Sequence, residues 1–333
     1  MDKRVIFCCD ANTKSGLGHF SRSLNLAKGL VRKNQELRVL FIGDYSEFAK
    51  EILIKSNIDH LEQPDLFTNP RSLESYLNNE TSFFLDSYEI NQSWLNGICE
   101  MTNRVLMFDD FNELDYSGVL LVVNFRACSS LFDYNAKNSL CGLPYTPLKV
   151  ELEAVRDHKN KNISQENNCI MIFIGGTDRH NVGIKILSLL DSHLEGKQLI
   201  YIGKDKYAAA PSGKNEIVSK ENVADIEVIY TKSDVAITGG GFSRYEAAYC
   251  GIPSLTVSQT NEQGDDIVIF SEENLTVNAG FAETFNEKRF LKLYDELMQG
   301  EEPGRMQSAC FRAFNESPMS NLTNAVLETL EKN

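Results

Sequence analysis

His19 stands at the end of a glycine turn, in the stretch Ser15-Gly16-Leu17-Gly18-His19-Phe20-Ser21-Arg22. An imidazole is the side chain best suited to exchange a proton near neutral pH. Gly16 and Gly18 let the backbone approach a ligand closely, and a helix starting here offers unpaired N–H groups to an anion. Two readings compete for this stretch. One is a catalytic or phosphate-binding histidine; the other is a dinucleotide site or a plain strand-to-helix turn. The dinucleotide fingerprint needs a third glycine where Ser21 stands, which counts against it.

Three further stretches carry chemistry-bearing types. Ile174-Gly175-Gly176-Thr177-Asp178, with Asn181 opening the next helix, forms an anion-tolerant turn, or Thr177 or Asp178 simply caps a helix. Ile237-Thr238-Gly239-Gly240-Gly241-Phe242-Ser243-Arg244-Tyr245-Glu246 is more specific. Its glycines leave bare N–H groups for a diphosphate, with Gly240, Gly241 and the Ser243 hydroxyl as contacts and Ser243 able to cap the helix. Glu246 can take two ribose hydroxyls, one per oxygen, or serve as an acid placed favourably at a helix N-terminus. Gly251-Ile252-Pro253 closes that helix. The third stretch, Ser258-Gln259-Thr260-Asn261-Glu262-Gln263, offers amides to sugar or phosphate, or caps a helix. Asp86-Ser87-Tyr88 and Asp109-Asp110 also follow strand-like runs; turn formation and capping explain their carboxylates at least as well as acid–base or metal roles do.

The elements that must position these residues alternate. Apolar runs at residues 5–9, 38–42, 83–86, 104–108 and 119–123 read as strands, with helical patterns at 20–32, 46–55, 71–77 and 92–101 between them. Residues 124–149 break the rhythm, and the polar segment 151–168 reads as an inter-domain connection, partly helical at 151–157. A second alternation follows, with strands at 169–174, 199–202, 227–229, 235–237 and 254–257. Its helices fall at 182–190, 243–250, 262–272, 286–298, 305–314 and 320–331. The expected architecture is α/β: two doubly wound parallel-sheet domains, residues 1–150 and 151–333, facing a cleft, with the last helices packing back on the first domain.

The 333 residues suit two domains, and the net charge of −14 argues against nucleic acid or an anionic membrane surface as partner. The N-terminus runs straight into a strand, and no apolar stretch reaches the length of a membrane span, so a cytoplasmic protein is expected. The eight cysteines lack C-x-x-C spacing and read as free thiols in a reducing compartment. The five histidines are scattered, so no metal site is expected, nor a cofactor. A monomer or weak dimer is expected.

Gly16-x-Gly18-His19-x-x-Arg22, Gly175-Gly176-x-Asp178 and Gly240-x-x-Ser243-x-x-Glu246 with Gly251-x-Pro253 together resemble the GT-B nucleotide-sugar enzymes. Phe108-Asp109-Asp110, Val123-Asn124, Cys141-Gly142-x-x-Tyr145, Asn261 and Gln263 extend the likeness to about residue 280. Within that group the chain is most similar to the UDP-sugar hydrolases of pseudaminic acid biosynthesis, which cleave UDP-2,4-diacetamido-2,4,6-trideoxy-β-L-altropyranose. The resemblance implies a GT-B fold of two Rossmann-like domains and metal-independent hydrolysis with inversion at the anomeric carbon. By motif, His19 would deprotonate the attacking water, while Gly240, Ser243 and Glu246 hold uridine diphosphate. Tyr88 would lie near the sugar, and Asn261 would face the sugar or phosphate side. Gly16, Gly18, Arg22, Gly175, Gly176 and Gly241 complete the expected substrate contacts. Glu262 separates Asn261 from Gln263, so either amide fits the motif. A GT-B glycosyltransferase, using the same UDP-sugar donor in surface polysaccharide synthesis, is the alternative.

Overall fold

The computed structural model describes residues 3–12, 14–161, 168–176, 178–204, 212–221, 223, 225–314 and 316–332. Thr177 and residues 162–167 of the expected connection lie outside the described residues. The chain forms two compact units, Met1–Val150 with Glu316–Asn333, and Glu151–Asn315.

In the first unit the chain runs β1 (Arg4–Cys8), α1 (Gly18–Lys33), β2 (Arg38–Gly43), α2 (Glu47–Lys55), β3 (Asp59–Glu62), β4 (Thr81–Leu85), α3 (Gln92–Met101), β5 (Val105–Phe108), β6 (Leu121–Asn124) and β7 (Ser139–Cys141). These seven strands form one sheet in the order β3-β2-β1-β4-β5-β6-β7, paired in parallel throughout. β1, β4, β5 and β6 are apolar and buried along most of their length, as strands covered on both faces must be. Phe7 stacks on Phe41 and Phe84 across the sheet, and Phe84 meets Phe108 edge-on. Residues 71–77, read from sequence as a helix, form a 3₁₀ segment, Pro70–Tyr76, whose N-cap is Asn69.

The second unit runs α4 (Leu152–Lys161), β8 (Cys169–Phe173), α5 (Val182–His193), β9 (Gln198–Ile202), β10 (Glu216–Lys220), α6 (Ile226–Lys232), β11 (Val235–Gly239), α7 (Ser243–Tyr249), β12 (Ser254–Ser258), α8 (Asn261–Glu272), β13 (Val277–Phe281), α9 (Glu287–Leu297) and α10 (Glu302–Ala313). Its strands form a second parallel sheet, β10-β9-β8-β11-β12-β13, with the same winding as the first. The strand expected at 227–229 is instead part of α6: Ile226, Ile229 and Tyr230 are its buried residues, at helical spacing.

The last helix, α11 (Pro318–Lys332), belongs to the first unit and lies against α1. Gly29 makes the approach close, since a Cβ there would stand 2.7 Å from the Thr323 methyl and 2.8 Å from the Met319 sulfur. Arg104 fastens the end of α11, donating through Nε to Ser82 and through Nη2 to the Leu330 carbonyl.

Winding reverses in each sheet between its first and fourth strands, β1 and β4 in one unit and β8 and β11 in the other. Such a reversal leaves a crevice at the carboxyl ends of those strands, where open α/β sheets bind ligands. The segment holding His19 follows β1, Asp86 follows β4, Gly175 follows β8, and the triple glycine begins at the last residue of β11.

Candidate functional site

In the first unit, Asn12 folds the loop after β1: its Oδ1 accepts from the Lys14 and Ser15 amides, and its carbonyl accepts from Gly16. Gly16 adopts φ +72°, a conformation that favours glycine. A Cβ at Gly16 or Gly18 would meet nothing within 4 Å, so this turn is open. Leu17 supplies no side-chain cap to α1, and the first turn holds no acidic residue. Among the described residues, no side chain caps the first amides of α1 beside His19.

His19 is 9% exposed, and its Nδ1 lies 2.5 Å from Asp86 Oδ1. Nε2 has no hydrogen-bond partner among the described residues. Arg22, one turn further along α1, sends Nε to Asp86 Oδ2 at 2.8 Å and Nη2 to Oδ1 at 2.6 Å. Its Nη1 reaches both oxygens of Asp110, at 3.1 and 3.0 Å. Ser23 adds a donor to Asp86 Oδ2 at 2.9 Å. Asp86 is wholly buried, which by itself raises its pKa; the Arg22 guanidinium and then His19 outweigh burial and hold it at about 2. An ionised Asp86 only accepts, so Nδ1 is the donor of that bond, and in the neutral imidazole the lone pair then lies on Nε2. Arg22 Nη2 also lies 3.2 Å from Nδ1, but a guanidinium has no acceptor for that N–H. Both donors instead converge on Asp86 Oδ1.

Tyr88 closes the other side of the imidazole. Its ring stands edge-on to His19 at 4.3 Å, and its hydroxyl donates to Asp110 Oδ2 at 2.6 Å. Burial of that hydroxyl end, and then Asp110, push the phenol pKa up, so it remains a donor. The residue as a whole is 63% exposed, leaving a ring face for a ligand. Arg126 donates to the Asp110 carbonyl at 2.6 Å and stacks over Phe111, bracing the same loop. Asp109 points away from this group. It accepts from Tyr116 and Tyr134 hydroxyls and from the Phe111 and Asn112 amides, and so builds the turn.

In the second unit, Gly239 is fixed by a neighbour's backbone, since a Cβ would come within 1.8 Å of the Ile174 carbonyl oxygen. A Cβ on Gly240 would meet the Gln263 amide at 2.5 Å, whereas Gly241 is open. Arg244 is buried and gathers this turn: it donates to the Gly240 carbonyl, the Asp266 carboxylate and, at 2.8 Å, the Tyr245 hydroxyl. Ser243 is the first residue of α7 rather than its cap, which is Phe242. Its Oγ is buried without a partner among the described residues, as are both amide atoms of Gln259. Gln263 supports that loop, its Oε1 accepting from the backbone N–H of Gln259 at 2.8 Å. Asn261 opens α8 and is exposed. Glu246 is buried, with Oε2 accepting from Tyr230 at 2.9 Å. Gly175 adopts φ +121°, and neither it nor Gly176 would bring a Cβ near any atom. Asp178 accepts from the Val182 and Gly183 amides, so of its two readings the helix-end one describes it.

The first unit thus brings His19, Arg22 and Tyr88 together with Asp86 and Asp110, which the sequence marked only as weak candidates. Ser23 and Asp266 escaped notice because a lone serine or aspartate within a helix carries no spacing signal. Among the described residues, no group of three or more His, Cys, Asp or Glu side chains is arranged to hold a metal. No helix among them is long and apolar enough to cross a membrane.

No family model matches the chain. It is 23% identical over 282 residues to an uncharacterized protein of Methanocaldococcus jannaschii, covering 78% of this chain and only 56% of that protein. It is 21% identical over 302 residues to the spore coat polysaccharide biosynthesis protein SpsG of Bacillus subtilis, covering 87% of each. Among solved structures, Acinetobacter baumannii MurG aligns with a TM-score of 0.68 at 14% identity, over 99% of this chain and 100% of that one. A UDP-glucose:anthocyanidin 3-O-glucosyltransferase in complex with UDP gives 0.70 at 13%, over 100% of both chains. With two parallel-sheet α/β domains and this likeness over its whole length, the chain has the GT-B fold.

Proposed function

We propose that this protein is an enzyme that processes UDP-sugars, and specifically a hydrolase of a UDP-linked 2,4-diacetamido-2,4,6-trideoxy sugar in nonulosonic (pseudaminic) acid biosynthesis. The observation that carries the reading is the His19–Asp86 pair, which occupies Nδ1 and leaves Nε2 without a hydrogen-bond partner among the described residues, in a segment with an open glycine turn. Nε2 takes a proton from water as the water oxygen bonds to the anomeric carbon. The bond from that carbon to the diphosphate oxygen breaks with inversion, and UDP departs with the electron pair. Asp86 stabilises the imidazolium that forms.

Gly240, Gly241 and the unpartnered Ser243 hydroxyl hold the diphosphate, whose charge backbone N–H groups absorb so that it leaves unprotonated. Glu246 holds the ribose through its carboxylate, of which Oε2 also accepts from Tyr230. Gly175, Gly176 and Asn261 complete the nucleotide-sugar side; Gly16, Gly18 and the exposed ring of Tyr88 contact the sugar. The motif combination around His19, Asp109-Asp110 and Gly175 supports the hydrolase within the wider group. The chain works without a metal or cofactor, in the cytoplasm, as a monomer or weak dimer; its free, largely buried thiols suit a reducing compartment.

A glycosyltransferase reading is favoured by the relative named for spore coat polysaccharide biosynthesis and by the transferase neighbours in fold. An acceptor hydroxyl would then replace water at Nε2. Purified protein given the UDP-linked diacetamido sugar and no acceptor should release UDP and a free reducing sugar. Release of UDP only after an acceptor is added would establish the transferase instead.

A further inference from the structure

The motif places Arg22 on the substrate, but the geometry points to a different task. We propose that Arg22 is a positioning residue that sets the proton position of His19 through Asp86 and the ring position of His19 through Asp110 and Tyr88. The proposal rests on His19 being the base of the site described above.

Arg22 has little left to offer a ligand. It is 6% exposed; Nε and Nη2 form a fork on Asp86, and Nη1 spans both oxygens of Asp110. Its guanidinium also packs over Phe108 and Phe125, with centroids at 5.0 and 5.6 Å. A lysine is a point donor on a flexible stem and cannot span two carboxylates with a planar fork.

Each carboxylate then governs one side of the imidazole. Asp86 Oδ1 accepts the hydrogen bond from Nδ1–H, 2.5 Å from nitrogen to oxygen, and holds the proton on Nδ1 only while it stays ionised, though wholly buried. Without the guanidinium its side-chain donors among the described residues are the Ser23 hydroxyl and the imidazole, and burial favours its protonated form. A protonated Asp86 can donate to Nδ1, which moves the imidazole proton to Nε2 and removes the lone pair that faces the reaction. Asp110 accepts the Tyr88 hydroxyl, and the Tyr88 ring stands 4.3 Å from the imidazole. One cation therefore fixes both the hydrogen-bonded side and the aromatic side of the ring.

The test reads the protein free of substrate, so it stands whether or not the hydrolase reading does. In protein carrying nitrogen-15 histidine, His19 is assigned among the five histidines by its absence from the His19→Asn spectrum. At a pH where the imidazoles are neutral, the wild type should show the proton on Nδ1. Arg22→Met should show a mixture or the Nε2-protonated form, and Arg22→Lys, which keeps charge and folds more readily, a partial shift. With substrate, Arg22→Lys should lower kcat by tenfold or more and leave UDP affinity within twofold. An unchanged tautomer in folded Arg22→Met, or wild-type tautomer and kcat in Arg22→Lys, would overturn the proposal. Loss of UDP affinity with kcat preserved would return Arg22 to the substrate.

Discussion

His19 and Asp86 form the smallest unit of the chemistry, and each has a separable signature. His19→Asn should cut turnover by roughly two or more decades, since general-base catalysis is worth about that much, while UDP still binds. Comparable turnover in the variant, measured by UDP release, would remove His19 from the reaction. Asp86 carries a stability signature as well. Its folded pKa of about 2 lies below the ordinary 3.8, so its stabilisation is present above about pH 4 and is lost as the pH falls through 2. The stability gap between wild type and Asp86→Asn, read from urea midpoints, should therefore narrow on acidification from pH 6 to 2.5. A constant gap would mean that the carboxylate is not held by Arg22 and His19 as described.

At the scale of elements, the glycine turn after β11 separates packing from binding. Gly239→Ala drives a methyl into the Ile174 carbonyl and should destabilise the second unit by about 1–3 kcal/mol or more, seen as a lowered denaturant midpoint. Gly241→Ala meets nothing, so its midpoint should stay near wild type while affinity for UDP, measured by calorimetry, falls. Unchanged affinity there would take the diphosphate off that turn. The sequence revealed the inner strands of both sheets, because β1, β4, β5, β6, β8, β11 and β12 are buried on both faces and read as apolar runs. It hid β3, β7, β10 and β13, which are the four sheet edges. Edge strands such as Asp59–Glu62 and Glu216–Lys220 are largely exposed, so their residues carry no such run. The run at 227–229 misled for the complementary reason: Val and Ile favour strands, but in α6 Ile226, Ile229 and Tyr230 pack at helical spacing. The glycine turns were legible because glycine types mark them. The partners of His19 were not fully so: Asp86 and Asp110 meet Arg22 only after three strands align, and sequence separation of 64 and 88 residues conceals that meeting.

The whole molecule repeats one plan, a doubly wound sheet with its chemistry at the winding reversal, and the chain returns to its first unit through α11. Gly29→Leu should push α11 from α1 and cost the first unit about 1–3 kcal/mol, visible as a lower thermal midpoint; a midpoint equal to wild type would show the contact to be slack. The central claim is attack by water at the anomeric carbon of the UDP-sugar. It is tested most directly by turnover of the UDP-linked diacetamido sugar in oxygen-18-labelled water, followed by NMR and mass spectrometry. The label should enter the sugar and not UDP, the first-formed sugar should have the inverted anomeric configuration, and His19→Asn should suppress both signals. Label appearing in the UDP phosphate, retention at the anomeric carbon, or no turnover without an acceptor would contradict it.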